Sequence, residues 1–344
     1  MRVAVAMSGG VDSSVAAALM VQRGHDVTGI TLKLRTGPKG DAPTQGCCTA
    51  ADAIDARRVA DTLGIPYYVF DVTEPFEEGV VRPFIDAYAS GRTPNPCVEC
   101  NRTVKFSLLL DRARSLGMDA LVTGHHVRLR GQDAHGFRLL RAVDPAKDQS
   151  YVLHMLGQDV LSHCLFPVGE MTKAEVRRVA ADLGLRTADK PESQDVCFLG
   201  RDGLRGFLAP FVMPGSIVDR SGREVGRHHG SVFTIGQRRG LGVATGRRVF
   251  VTALERDGTV VVGDEDALMS TRLELESVSW VRGSAPEDEV DVCVRYRGAL
   301  VPARLDGTTV LLDRPVRAAA PGQSAVFYRG DEMLGGGIIT RATP

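Results

Sequence analysis

The residues best suited to chemistry fall in three short stretches. Ser8-Gly9-Gly10-Val11-Asp12-Ser13-Ser14 follows an apolar run, Arg2 to Met7, that is β-branched at Val3 and Val5. The helix-forming run Val15 to Met20 comes next and stops at Gly24. Strand, glycine pair, hydroxyls and helix in that order build an anion site. The glycines let the backbone turn tightly, and free amides at the helix start point at a negative ligand. Ser8, Ser13 and Ser14 add hydroxyl donors, and Asp12 is suited to holding a magnesium ion beside phosphates. The second stretch runs from Gly91 to Asn101 and sets Cys97 and Cys100 in C-x-x-C spacing. Pro94 and Pro96 hold this loop extended, and Asn95 and Asn101 offer hydrogen bonds near the thiols. The third places Cys197 within Lys190 to Phe198. A single cysteine is most often a small buried hydrophobe; a C-x-x-C in a proline-ordered loop downstream of an anion site is harder to read that way.

These stretches need elements to position them. Val27 to Leu32 reads as a second strand, and the polar stretch Arg35 to Gln45 as a mobile loop leading to Cys47-Cys48. A helix follows Thr49, with Ala56, Val59, Ala60 and Leu63 on one face and Gly64 as its stop. Tyr67 to Phe70 is a third strand; Phe76, Val80, Phe84 and Tyr88 form a further helical stripe. Leu121-Val122-Thr123 is a strand ending at Gly124-His125-His126. Thr172 and Glu175 make a capping box ahead of the face Val176, Val179, Ala180 and Leu183. This alternation predicts an α/β fold, a doubly wound parallel sheet with its ligand at the carboxyl ends of the strands. Beyond about Gly200 the pattern becomes β. A hairpin spans Val249 to Val262 around Asp257-Gly258, Val290 to Arg297 alternates apolar and polar, and Asp306-Gly307 closes another hairpin. The expected domains are 1–200, a small mainly β central domain over 201–270, and a β-barrel over 271–344.

Charge is balanced, 42 basic against 42 acidic residues, so nothing pulls the whole chain toward nucleic acid or membrane. Neither DNA nor a membrane is expected as a partner, and an RNA contact must come from a local patch. Only six of the basic residues are lysines, none beyond Lys190, so a phosphate-binding surface in the C-terminal part would use arginine. With no membrane-length apolar run and no signal-peptide pattern, the chain reads as cytoplasmic. Its seven cysteines are then expected to be buried, catalytic or metal-bound rather than structural disulfides. His125 and His126 point opposite ways on an extended segment, which argues against a metal pair. Cys47-Cys48 is more readily packing than a sulfur relay, and Arg238-Arg239 suits a phosphate clamp or a solvated turn.

The Ser8–Ser14 string lacks the lysine of a G-x-x-x-x-G-K-[ST] loop and resembles instead the S-G-G-x-D-S loop of the PP-loop ATP pyrophosphatases. Further strings follow in order: G-R-T-P-N-P-x-x-x-C-N from Gly91, T-G-H-H from Thr123, K-D-Q-S-Y from Lys147 and L-F-P-V-G-E from Leu165. S-Q-D-V-C-F begins at Ser193, F-T-I-G-Q-R-R-G-L-G at Phe233 and P-G-Q-S-A-V-F-Y at Pro321. By these the chain, from Met1 to about Ile339, resembles the tRNA-specific 2-thiouridylases. The resemblance implies a PP-loop domain, a small central domain and a C-terminal barrel. It also implies thiolation of the wobble uridine of certain tRNAs, with ATP and a persulfide supplied by a sulfur-donor protein. By position, Ala6, Met7, Ser8, Gly9, Gly10, Val11, Asp12, Ser13, Leu32 and Gly124 match the family's ATP contacts. Cys100 matches its nucleophile and Cys197 its persulfide carrier. Asn95, Pro96 and the residue at Cys97 fall in the segment that meets the target base; His125, Lys147, Asp148, Gln149, Arg295, Tyr296 and Gln323 match its tRNA contacts.

One departure is Cys97, where many members carry an aspartate that is a candidate acid/base. The substitution creates the C-x-x-C. With Cys197 it also resembles other PP-loop tRNA thiolases in which three thiolates hold a [4Fe–4S] cluster, although the remaining resemblance favours the persulfide. Two other functions stay open on the residues alone. A PP-loop ligase adenylating a carboxylate would explain the loop but not the cysteines. A zinc-stabilised RNA-binding protein would explain the thiols but consume no ATP.

Overall fold

The computed structural model describes residues 1–35, 49–133, 136–191, 196–199 and 203–344. Cys47-Cys48, nearly all of the stretch read as a mobile loop, and Ser193-Gln194-Asp195 lie outside the described residues.

The chain begins with β1 (Arg2–Ala6), α1 (Val11–Gln22), β2 (Asp26–Lys33), α2 (Ala50–Leu63) and β3 (Tyr67–Asp71). A long helical run follows: α3 (Thr73–Phe76), a π segment Glu77–Val81, and α4 (Arg82–Ala89). A second run joins α5 (Pro96–Glu99), a π segment Cys100–Leu109 and α6 (Leu110–Ser115), ahead of β4 (Ala120–Thr123). After the hairpin β5 (Val127–Asp133) and β6 (Gly136–Arg141) come α7 (Gln158–Leu161), β7 (Cys164–Leu165) and α8 (Lys173–Asp182). The parallel sheet has the order β3-β2-β1-β4-β7. Its alternation sorts the core into two layers. Val3, Val5 and Met7 pack with α1 and α8 on one face, while Ala4 joins Ile30, Leu32 and Val104 on the other. Full burial of Val3 and Val5 contributes about 1.5–3 kcal/mol each, which anchors the strand from which the glycine loop departs.

Local signals set several element ends. Thr49 caps α2 and forms a reciprocal box with Asp52; Thr172 does the same for α8 with Glu175. Phe76, Val80 and Phe84 are all buried although spaced by four. Four residues overshoot an α-turn, and the wider π turn at Glu77–Val81 takes up that drift and keeps the stripe on one face. One expectation is corrected here. The cysteine loop is extended only to Asn95, whose Oδ1 accepts from the Cys97 amide at 3.1 Å and caps a helix beginning at Pro96. Asparagine at the cap and proline at the first helical position are a helix start, so Cys97 and Cys100 stand one turn apart on a helix.

The C-terminal part holds α9 (Gly203–Leu208) and a sheet of β8 (Gly215–Asp219), β9 (Glu224–His228), β10 (Phe250–Leu254) and β11 (Val260–Gly263). Then come β12 (Met269–Trp280), β13 (Val290–Cys293), β14 (Val301–Asp306), β15 (Thr309–Arg317), β16 (Ser324–Arg329) and β17 (Glu332–Thr343). These six close through β12–β17 pairing into an antiparallel barrel. The strand read from Val290 to Arg297 ends at Cys293; Val294 keeps to the apolar face, and the chain then turns through Arg297 at a left-handed φ of 58°. Cys293, expected on the polar face, is buried against the first domain. A feature absent from the sequence reading is that β6 pairs with β17, so the β5–β6 hairpin extends the C-terminal sheet.

The proline loop is wedged between the later sheets. The Thr93 amide donates to the Pro321 carbonyl at 2.8 Å, and Gln323 Nε2 donates to the Thr93 carbonyl at 2.6 Å. Gly91, at φ 77°, would place a Cβ 2.5 Å from the Leu254 carbonyl oxygen; Gly64, at φ 67°, has open space around it. Gly64→Ala is therefore expected to cost about 1–2 kcal/mol from backbone strain alone. Gly91→Ala should cost clearly more, because the β10 backbone must also move. Equal losses in urea denaturation of the two variants would show that the Gly91–Leu254 contact does not constrain the fold.

Candidate active site

The carboxyl ends of β1, β2 and β4 open on a cleft of about 550 Å³, within the range of small-molecule sites. Ala6, Met7, Ile30, Leu32 and Leu34 supply an apolar side, and the Ser8–Ser13 loop a polar one. Lys105, Lys147, Lys173 and Lys190, four of the six lysines in the chain, line it as well.

The loop is shaped from within. Gly9, at φ 70°, would carry a Cβ 2.3 Å from the Asp52 carbonyl oxygen, so only glycine fits between α1 and α2. No side chain caps α1, which leaves its first-turn amides directed at the cleft. Ser13 Oγ accepts from the Ser8 amide at 3.1 Å and donates to the Gly10 carbonyl at 3.0 Å. Ser14 Oγ donates to the same carbonyl at 2.9 Å and is fully buried. The expectation that Ser14 offers its hydroxyl to an anion is corrected: it braces the loop, and Ser8 is the exposed hydroxyl. Gly124 closes the site from β4, where a Cβ would stand 2.6 Å from the Ser13 amide nitrogen.

Asp12, expected beside a magnesium ion, is bonded by a lysine ammonium and a histidine ring nitrogen. Lys173 Nζ donates to its two carboxylate oxygens at 2.7 and 2.8 Å, and His126 Nε2 donates to Oδ1 at 3.0 Å. Burial pushes this carboxyl up, but the His126 and Lys173 hydrogen bonds outweigh it and hold Asp12 below the usual carboxylate range. Lys190 is set by a second group: it donates to the Gly9 carbonyl at 2.9 Å and to Asp52 and Asp55 at 2.7 Å each. That bond turns the Gly9 carbonyl toward Lys190 and away from an incoming anion. Burial works against the Lys190 ammonium, but the two carboxylates prevail and raise its pKa.

Behind the loop, His126 donates its backbone amide to Gln149 Oε1 at 2.8 Å. His125 is buried, with Nδ1 2.8 Å from Thr123 Oγ1; burial, then Lys105 and His126, push its pKa well below the usual histidine value, so the ring is neutral at pH 7. Asp148 accepts from the amides of Ala142 and Ser150. Thus Asp148, Gln149 and Gln323, matched by resemblance to tRNA contacts, all bond to this chain's own backbone with their side chains. Lys147 and Tyr296 line the cleft, and Arg295 is exposed beyond it. None of the three cysteines is among the residues lining the cleft. Cys100 and Cys197 belong to one apolar cluster with Val98 and Phe198, Cys97 is exposed on the turn before, and all three are thiols. Among the described residues no group of three or more His, Cys, Asp or Glu side chains is gathered to hold a metal ion. Among the described residues Cys97, Cys100 and Cys197 are thus not gathered as a three-thiolate cluster would require.

Sequence reasoning passed over Lys105, Lys173, Lys190 and Arg297 as site residues. The scarcity of lysine was the available signal, since a chain that meets its need for surface charge with arginine keeps lysine for particular positions.

Domain-family models match in three blocks: a "tRNA methyl transferase HUP domain" over residues 1–201, a "tRNA methyl transferase PRC-barrel domain" over 205–264, and an "Aminomethyltransferase beta-barrel domain" over 270–339. Over full length the chain is similar to proteins named tRNA-specific 2-thiouridylase MnmA. It is 50% identical to that of Roseiflexus sp. (strain RS-1), covering 99% of each chain. Identity is 48% to that of Roseiflexus castenholzii, again over 99% of each, and 48% to that of Chloroflexus aurantiacus (strain ATCC 29366 / DSM 635 / J-10-fl), over 98% of each.

The depressed Asp12 carboxyl has a pH signature. Its stabilising share is fully present above the unfolded carboxyl pKa of about 3.9 and is lost as pH falls through the lower folded value. Wild type should therefore exceed Asp12→Asn in stability at pH 7, with the gap closing only below about pH 3.9. Denaturation curves at a series of pH values check this, and a gap that widens on acidification would refute the Lys173–His126 clamp.

Proposed function

The chain belongs to the tRNA-specific 2-thiouridylase family, and on that premise we propose that its cleft activates the wobble uridine of tRNA with ATP for sulfur transfer from Cys197. The chain is a tRNA sulfurtransferase that binds ATP. The observation that carries the mechanistic reading is the uncapped helix start within a cleft lined by four lysines, whose apolar residues Ile30, Leu32 and Leu34 share one core cluster with Cys100 and Cys197.

The apolar side at Ile30, Leu32 and Leu34 takes the adenine, and the loop amides with Lys173 and Lys190 take the phosphates. A magnesium ion accompanying ATP would add to the charge neutralisation these lysines provide. The C2 oxygen of uracil is a poor leaving group, so it first attacks the α-phosphorus and expels pyrophosphate, forming an adenylate. The terminal sulfur of a Cys197 persulfide, delivered by a sulfur-donor protein, then attacks C2; the C–O bond breaks and AMP leaves. The Cys100 thiolate attacks Cys197 Sγ, the S–S bond of the persulfide breaks, and its electron pair forms the C2 thiocarbonyl. A Cys100–Cys197 disulfide results, and an external dithiol reduces it for the next cycle. Holding adenylate and persulfide together supplies much of the rate. The aspartate role lost at Cys97 passes to another group or to water, which reaches the exposed Cys97.

Pyrophosphate release should depend on unmodified tRNA. Cys197→Ser should still release pyrophosphate while making no thiouridine, and Cys100→Ser should stop before the thiocarbonyl is freed. Cys97→Ser should remain active. Pyrophosphate release without tRNA, or inactivity of Cys97→Ser with Cys197→Ser intact, would overturn this order of steps.

A further inference from the structure

The loop between β13 and β14 belongs to the barrel, yet Tyr296 and Arg297 line the nucleotide cleft. Arg297 holds a left-handed φ of 58°, a conformation that side chains with a Cβ rarely adopt. The turn is built to keep it there. The Gly298 amide donates to the Arg295 carbonyl at 2.8 Å, and Cys293 Sγ lies 3.0 Å from that oxygen and 3.4 Å from the Gly298 carbonyl. A Cβ on Gly298 would meet the Arg295 carbonyl oxygen at 2.9 Å, so the glycine is fixed one place beyond the strained residue.

The side chain is placed as deliberately as the backbone. Tyr296 Oη donates to the Asp148 carbonyl at 3.4 Å, and its ring lies 5.9 Å from that of Tyr151. The Arg297 guanidinium lies over this anchored ring, 5.1 Å from its centroid. Among the described residues no carboxylate pairs with Arg297, although carboxylates accompany Lys173 and Lys190 in the same cleft. A guanidinium rested on an aromatic face, with its N–H edge unclaimed, is prepared to bind a phosphate through two parallel hydrogen bonds.

We propose that Arg297 binds the phosphates of the nucleotide in the cleft, so that the barrel completes the ATP site begun by the N-terminal domain. This rests on the ATP reading of the cleft given above. ATP is favoured over a tRNA phosphate because Arg297 shares a cleft with Ser8 to Ser13, whereas Arg295, two residues earlier, lies outside it. The two arginines thus divide the ligands between them.

The test titrates the full chain, without tRNA, with an α,β-methylene analogue of ATP. Arg297→Ala should weaken binding about tenfold or more, and Arg297→Lys should recover part of the loss. Arg297→Gly relieves the left-handed strain, so it should melt no lower than wild type and still bind the analogue weakly. The affinity of Arg297→Ala for tRNA should keep the wild-type salt dependence, while Arg295→Ala should reduce that slope by about one. Analogue binding by Arg297→Ala within twofold of wild type, or a reduced tRNA salt slope in its place, would overturn the proposal. A wild-type chain that bound no analogue would remove the ATP reading itself, a result distinct from wild-type binding that Arg297→Ala leaves intact.

Discussion

One carboxylate holds the site together. Asp12 sits in the first turn of α1, where two negative oxygens near a helix start help the helix but oppose an anionic ligand. Lys173 from α8 offsets that charge, and His126 from the turn after β4 adds a hydrogen bond to the same carboxylate. The same bonds tie together three segments with more than a hundred residues between the first and the other two. The cleft is the space they leave, and its depth depends on Gly124 allowing β4 to approach the loop backbone. The anion site is therefore tertiary in origin, although its motif is local.

The rest of the chain serves this cleft by constraining its approaches. The short helical segment Ser150–Leu153 lies between the cysteine-bearing helix and the barrel. Asn101 Nδ2, beside Cys100, donates to the Val152 carbonyl at 2.9 Å, and Tyr151 Oη donates to the Ser324 carbonyl at 2.7 Å. His154, buried and pushed down to about 4, stays neutral at pH 7 with Nε2 3.0 Å from Ser324 Oγ. With Gln323 on Thr93, these contacts make the position of the cysteine helix a property of barrel and PP-loop domain together.

The fold class was readable because β1, β2 and β4 are buried on both faces, and apolar runs punctuated by glycine report that directly. The Ser8–Ser14 motif was readable for a related reason: short-range backbone geometry selects glycine and serine at fixed offsets. What could not be read were partnerships over long separations. Nothing local marks Lys173 as the partner of Asp12 or joins Lys190 to Asp52 and Asp55, since a lysine in a helix start or a loop is ordinary. The helix at Pro96 was missed because proline was taken as a sign of extension rather than as a first helical residue. The turn at Arg297 was missed because alternation carries no record of where a strand stops.

The β5–β6 hairpin bears on how the chain comes to be folded. Its second strand, β6, pairs through Leu139 and Leu140 with Met333 and Glu332, and Arg128 reaches Asp331 at 2.7 Å. During synthesis that edge emerges almost two hundred residues before its partner. At roughly 5–20 residues per second it waits on the order of ten to forty seconds with unpaired backbone amides and carbonyls. Closure of the last strand is thus a late, non-local event that seals the first domain and the barrel in one step. A ribosome-bound chain lacking β17 carries the nucleotide loop but also an open sheet edge, so the enzyme's assembly is most exposed to aggregation just before it is complete.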